Sequence, residues 1–324
     1  MPGPEKISDR VDRWRRQEGG VKYALLHSQI EFLDRHLFFE YEPTSGPAPG
    51  FLDRCRDWLS SAVEERDQQV MFELVPNLFF VGAAQFWTLY RMAMNEHIVR
   101  WLISELDLKY DDPAMSEALA EGVQRTWFCG VTDSMNIAAF YHANHISGVN
   151  YRPDWHSLSQ FGTPERIQEY MASHNLERIV LLEDFVGSGS QLKRVAKFVS
   201  SLPWSPPTML VPLITCPGGY KEGRKAERNH ASVTFSPVLS LPPGAFVARD
   251  PTPGEPELIS RLRETAARVE SLVHGSGKVR PAAFGFKGTG ALVVMYTNCP
   301  NNTLPLVHHR SDQWTPLFPR SSRM

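Results

Sequence analysis

From about Gly122 onward the chain repeats one local pattern: a short apolar run, a loop containing glycine or serine, then a helical periodicity. Residues 126–131 lead into Thr132, Asp133 and Ser134 and a helical pattern to about residue 145. Residues 178–182 lead, past two acids, into Gly187, Ser188, Gly189 and Ser190. A helix then places Leu192, Val195, Ala196 and Val199 on one side. Residues 209–214 lead into Cys216, Pro217, Gly218 and Gly219 and a charged helix from about Lys221. Residues 233–241 are a further strand candidate, 258–273 an amphipathic helix and 291–296 a last strand. Strands that alternate with helices predict an α/β fold with a parallel sheet, because parallel neighbours need a crossover connection. In such sheets ligands sit beyond the C-terminal ends of the strands.

The first third reads differently. Residues 24–38, 51–63 and 77–106 keep helical spacing, and the Pro/Gly-rich stretch 40–50 is a loop. This divides the chain into a helical N-terminal region, 1–120, and an α/β domain, 121–324. The tail from Ser311, broken by Pro316 and Pro319, reads as loose. At 42% hydrophobic residues over 324 positions there is ample material for a core. A net charge of −2 gives no overall basic field. The N-terminus is polar, with no signal-peptide pattern. The apolar stretch 74–90 falls short of the roughly 18 residues of a membrane span and contains Pro76, Asn77 and Gln85. Cys55, Cys129, Cys216 and Cys299 are too far apart for a Cys-x-x-Cys site. They are expected to be buried, reduced thiols in a cytoplasmic protein with no membrane contact.

The stretch 178–192, RIVLLEDFVGSGSQL, carries the chemistry. An apolar run ends in Glu183 and Asp184, and the small-residue loop Gly187, Ser188, Gly189, Ser190, Gln191 opens the next helix. Glycines let the backbone approach an anion closely. N–H groups at a helix start bind phosphate, and serine hydroxyls add donors. Carboxylates would repel that phosphate, so Glu183 and Asp184 suit ribose hydroxyls, directly or through a divalent cation. The loop has no lysine, which excludes a nucleoside-triphosphate P-loop. Its acids precede the glycines, which excludes the dinucleotide fingerprint. A plain β–α turn is the alternative.

The order of these residues resembles the PRPP-binding motif of type I phosphoribosyltransferases: four apolar residues, two acids, three variable residues, then Thr-Gly-x-Thr. Ser188 stands for the first threonine, and Gln191 replaces the final hydroxyl residue. The segment Pro300, Asn301, Asn302, Thr303, Leu304, Pro305 is similar to a signature of the phosphoribosyltransferase-like proteins of bacterial conflict systems, the PRTase-CE family. Residues 128–134 and 211–213 resemble the same group. The resemblance implies a parallel, Rossmann-like sheet of the type I phosphoribosyltransferase kind. It implies Glu183 and Asp184 as catalytic carboxylates and Gly187 to Gln191, with Asp133, Ser134, Asn301 and Asn302, as ligand contacts. It also implies PRPP or a nucleotide-like ligand, a ligand-bridged Mg²⁺ without a protein-held metal site, and a role in antiviral defence. Partners could include a nucleic acid or a protein from a defence operon, and a homo-oligomer is compatible. Either an enzyme or a catalytically inactive nucleotide-sensing module fits. A catalytic loop would need Lys, Arg or Tyr, for which Tyr151–Arg152 and Trp155–His156 are the candidates.

Other residues have bland readings beside functional ones. Asp133 and Ser134 are good helix caps. Asn298, Asn301 and Asn302 suit turns as well as base edges. His142 and His145 lie three apart, a spacing that could place both on one helical face, but they lack further ligands for a metal. Gly218 and Gly219 suit a β–α turn or a ligand approach. Lys221, Arg224, Lys225 and Arg228 read first as a solvated face, with attraction of a polyphosphate or an RNA backbone as the alternative. His308, His309 and Arg310 read as an exposed basic run.

Overall fold

The computed structural model describes residues 5–43, 49–147, 163–275 and 283–321. It holds two compact units. One joins Met1–Ala83 to Pro243–Met324, and the other is Ala84–Pro242. The compact units therefore do not follow a division at residue 120. Among the described residues the strands are β1 (Phe79–Val81), β2 (Thr126–Gly130), β3 (Arg178–Val186), β4 (Thr208–Thr215), β5 (Val233–Phe235), β6 (Leu239–Ser240) and β7 (Val293–Met295).

Unit 84–242 contains the main sheet, ordered β2-β3-β4-β5, with β6 on the far end of β4. Every pairing in it is parallel. β3 and β4 are buried almost throughout, as expected for central strands covered on both faces. The helices Pro164–Ser173, Ser190–Val199 and Pro217–Asn229 each join one strand to the next. Their apolar faces meet the sheet in one cluster: Ile167 and Met171, then Leu192, Val195 and Val199, then Ala226, against Leu181, Leu210 and Phe235. The α/β architecture with a helical N-terminal region is thus the one the sequence predicts.

Three expectations need correction. Residues 77–106 are not one helix. They form β1, the helix Ala83–Met92, a π-helical turn Ala93–Ile98 and the helix Val99–Glu105. Pro76 lies in the 3-10 turn Val75–Asn77 that follows the helix Glu65–Leu74, and Phe79, Phe80 and Val81 are aromatic or β-branched. Second, the last strand does not extend the main sheet. β7 pairs in parallel with β1, Phe80 beside Val294, in a separate two-stranded sheet of the other unit. Third, the tail after Ser311 is not loose: Trp314, Leu317 and Phe318 are buried. Trp314 Nε1 donates to Leu306 O at 2.9 Å, and Arg54 Nε donates to Leu317 O at 2.9 Å.

The discontinuous unit packs the helix Glu65–Leu74 on the helix Glu257–His274. Two buried carboxylates cross that seam. Asp67 accepts from Arg268 and from the Thr265 hydroxyl, the latter at 3.0 Å. Glu73 is met by Arg261 at 2.5 Å and by Lys22 at 2.9 Å. Burial alone would raise the Glu73 carboxyl, but these two cations hold it below the ordinary range. Trp14, Trp58, Phe72 and Phe318 fill the core around them.

Candidate functional site

β3 is longer than its apolar run suggests. Glu183 and Asp184 lie inside the strand, which continues to Val186. β2 ends opposite Leu182, so the loop after β2 passes the two acids. Glu183, 2% exposed, accepts the Thr132 N–H at 3.0 Å and the Thr132 hydroxyl at 2.7 Å. Asp184, 4% exposed, accepts the Ser134 hydroxyl at 2.8 Å and the Phe185 N–H at 2.7 Å. The carboxylates thereby fasten the loop of Asp133 and Ser134 to the end of β3. Burial first, and then the adjoining Asp184 carboxylate, push the Glu183 carboxyl well above the usual range, against the pull of its Thr132 hydrogen bonds.

Beyond Val186 the chain turns through Gly187 and Ser188. Gly189 then takes a left-handed conformation, φ +75°, immediately before the helix Ser190–Val199. The Ser188 and Ser190 hydroxyls lie 2.9 Å apart. A helix start leaves its first N–H groups without partners inside the helix, so this loop ends at an electropositive pole. The reason for the glycines is visible next door. A Cβ on Gly189 would lie 2.7 Å from the Glu222 Cβ, and one on Gly219 would lie 2.6 Å from the Val186 carbonyl oxygen. The two glycine loops therefore approach at backbone distance, and the starts of two helices meet at the C-terminal ends of β3 and β4. Gly218 and Gly219 serve this approach as the opening turn of the helix Pro217–Asn229.

The fold thus gathers Glu183, Asp184, Gly187, Ser188, Gly189 and Ser190 with Asp133 and Ser134 at one end of one sheet. Asp133 is exposed there, and Gln191 is exposed in the first helical turn. Asn301 and Asn302 belong to the other unit. Asn302 donates to Thr289 Oγ1 at 2.9 Å and to Phe286 O at 3.3 Å, and the Asn301 carbonyl accepts the Phe286 N–H at 2.8 Å. Next to them the Thr303 hydroxyl donates to Val293 O at 2.6 Å, and Leu304 and Pro305 are buried. In this unit the Pro-Asn-Asn-Thr-Leu-Pro segment is a packing element that fixes the loop before β7.

Sequence reasoning passed over Thr132, the double donor to Glu183; its place beside Asp133 and Ser134 was the available signal. The expectation of an exposed basic run is corrected at His308. That ring is buried and donates to Thr303 O at 3.2 Å, and burial pulls its pKa down to about 3. His142 is exposed, edge-on to Trp87 with ring centroids 5.7 Å apart. No cluster of three or more candidate metal ligands occurs among the described residues. All four cysteines are buried, and none forms a disulfide among the described residues. No helix among the described residues is long and apolar enough to cross a membrane. Tyr151–Arg152 and Trp155–His156 lie outside the described residues.

No curated protein and no solved structure matches this chain. A family model does: the PRTase-CE model aligns with residues 55–320, which takes in both acids, the glycine–serine loop, β7 and the segment after it. A match over most of the chain, on a parallel α/β core with this arrangement at its strand ends, shows that the chain belongs to the PRTase-CE family.

Proposed function

We propose that unit 84–242 binds PRPP, or a related ribose 5-phosphate or nucleotide ligand, at the C-terminal ends of β2 and β3. One observation carries the reading: a glycine–serine loop at a helix start and two adjacent carboxylates occupy the same end of the same sheet. The loop Gly187 to Gln191 would hold the 5′-phosphate with backbone N–H groups and the Ser188 and Ser190 hydroxyls. Glu183 and Asp184 would exchange their Thr132 and Ser134 partners for ribose hydroxyls. Their charge would favour the cationic character that develops at C1 as the bond to pyrophosphate breaks and a bond to the acceptor forms. The residues present fit a Mg²⁺ that arrives bound to the ligand's pyrophosphate. Such an ion needs only one or two carboxylates from the protein, and Asp133 is exposed on the adjoining loop. Asn301 and Asn302 are not required by this reading. Four buried cysteines outside any disulfide fit a cytoplasmic setting, and family membership supports a role in a conflict or antiviral system.

A specific observation favours a second reading, a nucleotide-sensing module without turnover. Both acids already have partners within the protein, and Glu183 is held toward its neutral form. Calorimetric titration of PRPP with and without Mg²⁺ tests the shared claim. Saturable binding is expected, lost in Asp184→Asn and in Gly189→Val. Binding that survives both changes would remove the ligand from this loop. Pyrophosphate release in the presence of candidate bases then separates enzyme from sensor.

A further inference from the structure

The helices Ser190–Val199 and Pro217–Asn229 pack against each other on the same face of the main sheet. Their buried sides are apolar or glycine, and their outer sides are strongly one-signed. The first exposes Lys193, Arg194 and Lys197 and contains no acid. The second exposes Lys221, Arg224, Lys225 and Arg228 and contains only Glu222 and Glu227, both half-buried. Glu227 is engaged by Arg224 and by the Phe235 N–H at 3.1 Å. Among the described residues the other six cations have no ion-pair partner. Elsewhere the chain mixes its signs. The helix Glu257–His274 pairs Arg261 with Glu257 and Arg268 with Glu264 one turn apart. A chain of net charge −2 has therefore concentrated unpaired cations on two adjacent helices. Both helices begin at the loops of the candidate site.

We infer that the outer face of these two helices binds the phosphate backbone of a single-stranded nucleic acid and lays it beside the loop Gly187 to Gln191. Three features select this partner. The cations spread along both helices, over a length of about 15–20 Å, which suits a polyanion better than one small anion. Tyr220 is 42% exposed at the start of the second helix, next to Lys221, and offers a ring on which an unpaired base can stack. The apolar residues Leu192, Val195, Ala196, Val199 and Ala226 face inward, so the surface lacks the outward apolar anchors with which an interfacial helix enters a membrane. The inference deepens the ligand reading by naming the class of macromolecule that meets the site. It stands on different side chains, so the two can fail separately.

The test is fluorescence anisotropy with a labelled RNA strand of about 16 nucleotides, titrated at about 50 and 200 mM salt. The full chain is compared with Arg194→Glu/Lys197→Glu, Lys225→Glu/Arg228→Glu, Tyr220→Ala and Asp184→Asn. PRPP calorimetry on each preparation reports whether the candidate site is intact. Binding is expected to weaken steeply with salt. Each charge-reversed pair is expected to lose about tenfold or more in affinity and to flatten the salt slope by about one per cation removed. Tyr220→Ala is expected to weaken binding about fivefold or more with the salt slope unchanged. Asp184→Asn is expected to lose PRPP and keep the RNA. Charge reversals that leave RNA affinity intact while PRPP binding persists would overturn the inference and spare the ligand reading. So would equal affinity for vesicles containing phosphatidylserine that is lost in the same variants, which would assign the face to lipid. RNA binding without PRPP binding in the unaltered chain would sink the ligand reading alone.

Discussion

At the scale of single residues, Gly189 and Glu183 carry the most exposed claims. Gly189 has a left-handed φ and a neighbour where its Cβ would go. Gly189→Val is therefore expected to destabilise the fold by about 1–3 kcal/mol, read as a lower urea midpoint, besides losing the ligand. The Glu183 carboxyl is raised in the folded state, so its contribution to stability is whole below its unfolded value of about 4.3 and declines as pH rises through the folded value. Glu183→Gln should remove that decline. Its urea midpoint at pH 8 is expected to equal or exceed that of the parent, while PRPP affinity drops about tenfold. A lower midpoint at every pH would mean that the charged form is what the fold needs. His308 runs the other way. Its pKa falls to about 3 on folding, so its contribution is whole above about 6.5 and is lost as pH drops toward 3. The depressed Glu73 carboxyl adds a loss in the same direction. Trp58 and Trp314 both donate to Leu306 O, two residues from His308. Tryptophan emission should therefore report acid unfolding between about pH 6.5 and 3, shifted to lower pH in His308→Gln. That Glu183 and Asp184 lie beside the glycine loop was legible because the strand, the acids and the loop are contiguous in sequence. The burial of His308 was not legible, since adjacent histidines and an arginine look like surface until the packing is known.

At the scale of elements, amphipathic helices and central strands were readable because each shows its own period or a continuous apolar run. The helices at Phe51–Ser61 and Glu257–His274 and the strands β2 and β4 lie close to where the pattern puts them. β1 was not readable. Three residues show no period, and what makes them a strand is a partner far along the chain. The tail was misread for a related reason: Pro316 and Pro319 forbid regular structure but not burial. Trp314 is 2% exposed and hydrogen-bonded at its indole. Trp314→Ala is expected to cost about 3–5 kcal/mol, measured by urea denaturation. A cost below about 1 kcal/mol would show that the tail only rests on the unit, since substitutions away from buried features usually fall within that range. The π-helical turn Ala93–Ile98 carries His97, whose Nδ1 lies 2.7 Å from the Ser236 hydroxyl. The sequence shows only an ordinary helical period there, because the extra residue per turn is set by packing.

At the scale of the whole molecule, the sequence conveyed the class of the fold but not its discontinuity. Composition changes near Gly122, yet compactness follows contacts, and those of Asp67, Glu73 and β1 lie beyond residue 242. A fragment ending at residue 120 would leave Asp67 and Glu73 without Arg268 and Arg261 and β1 without β7. It is expected to show no cooperative thermal transition by circular dichroism, whereas residues 1–83 co-expressed with 243–324 should be recovered together. A sharp transition in the shorter fragment alone would show that the helical region is self-sufficient. The same interleaving sets an order on biosynthesis. The ribosome releases Phe79, Phe80 and Val81 long before it makes Val293, Val294 and Met295. At about 5–20 residues per second the wait is roughly ten to forty seconds. Throughout it an apolar strand lacks its partner β7 and is open to wrong pairing, while the residues of the Ala84–Pro242 unit are all made before β7 is. An interruption of translation after residue 242 and before β7 yields a chain with every residue of the Ala84–Pro242 unit, the glycine–serine loop included, and the other unit unfinished, a species for chaperones or proteases to handle.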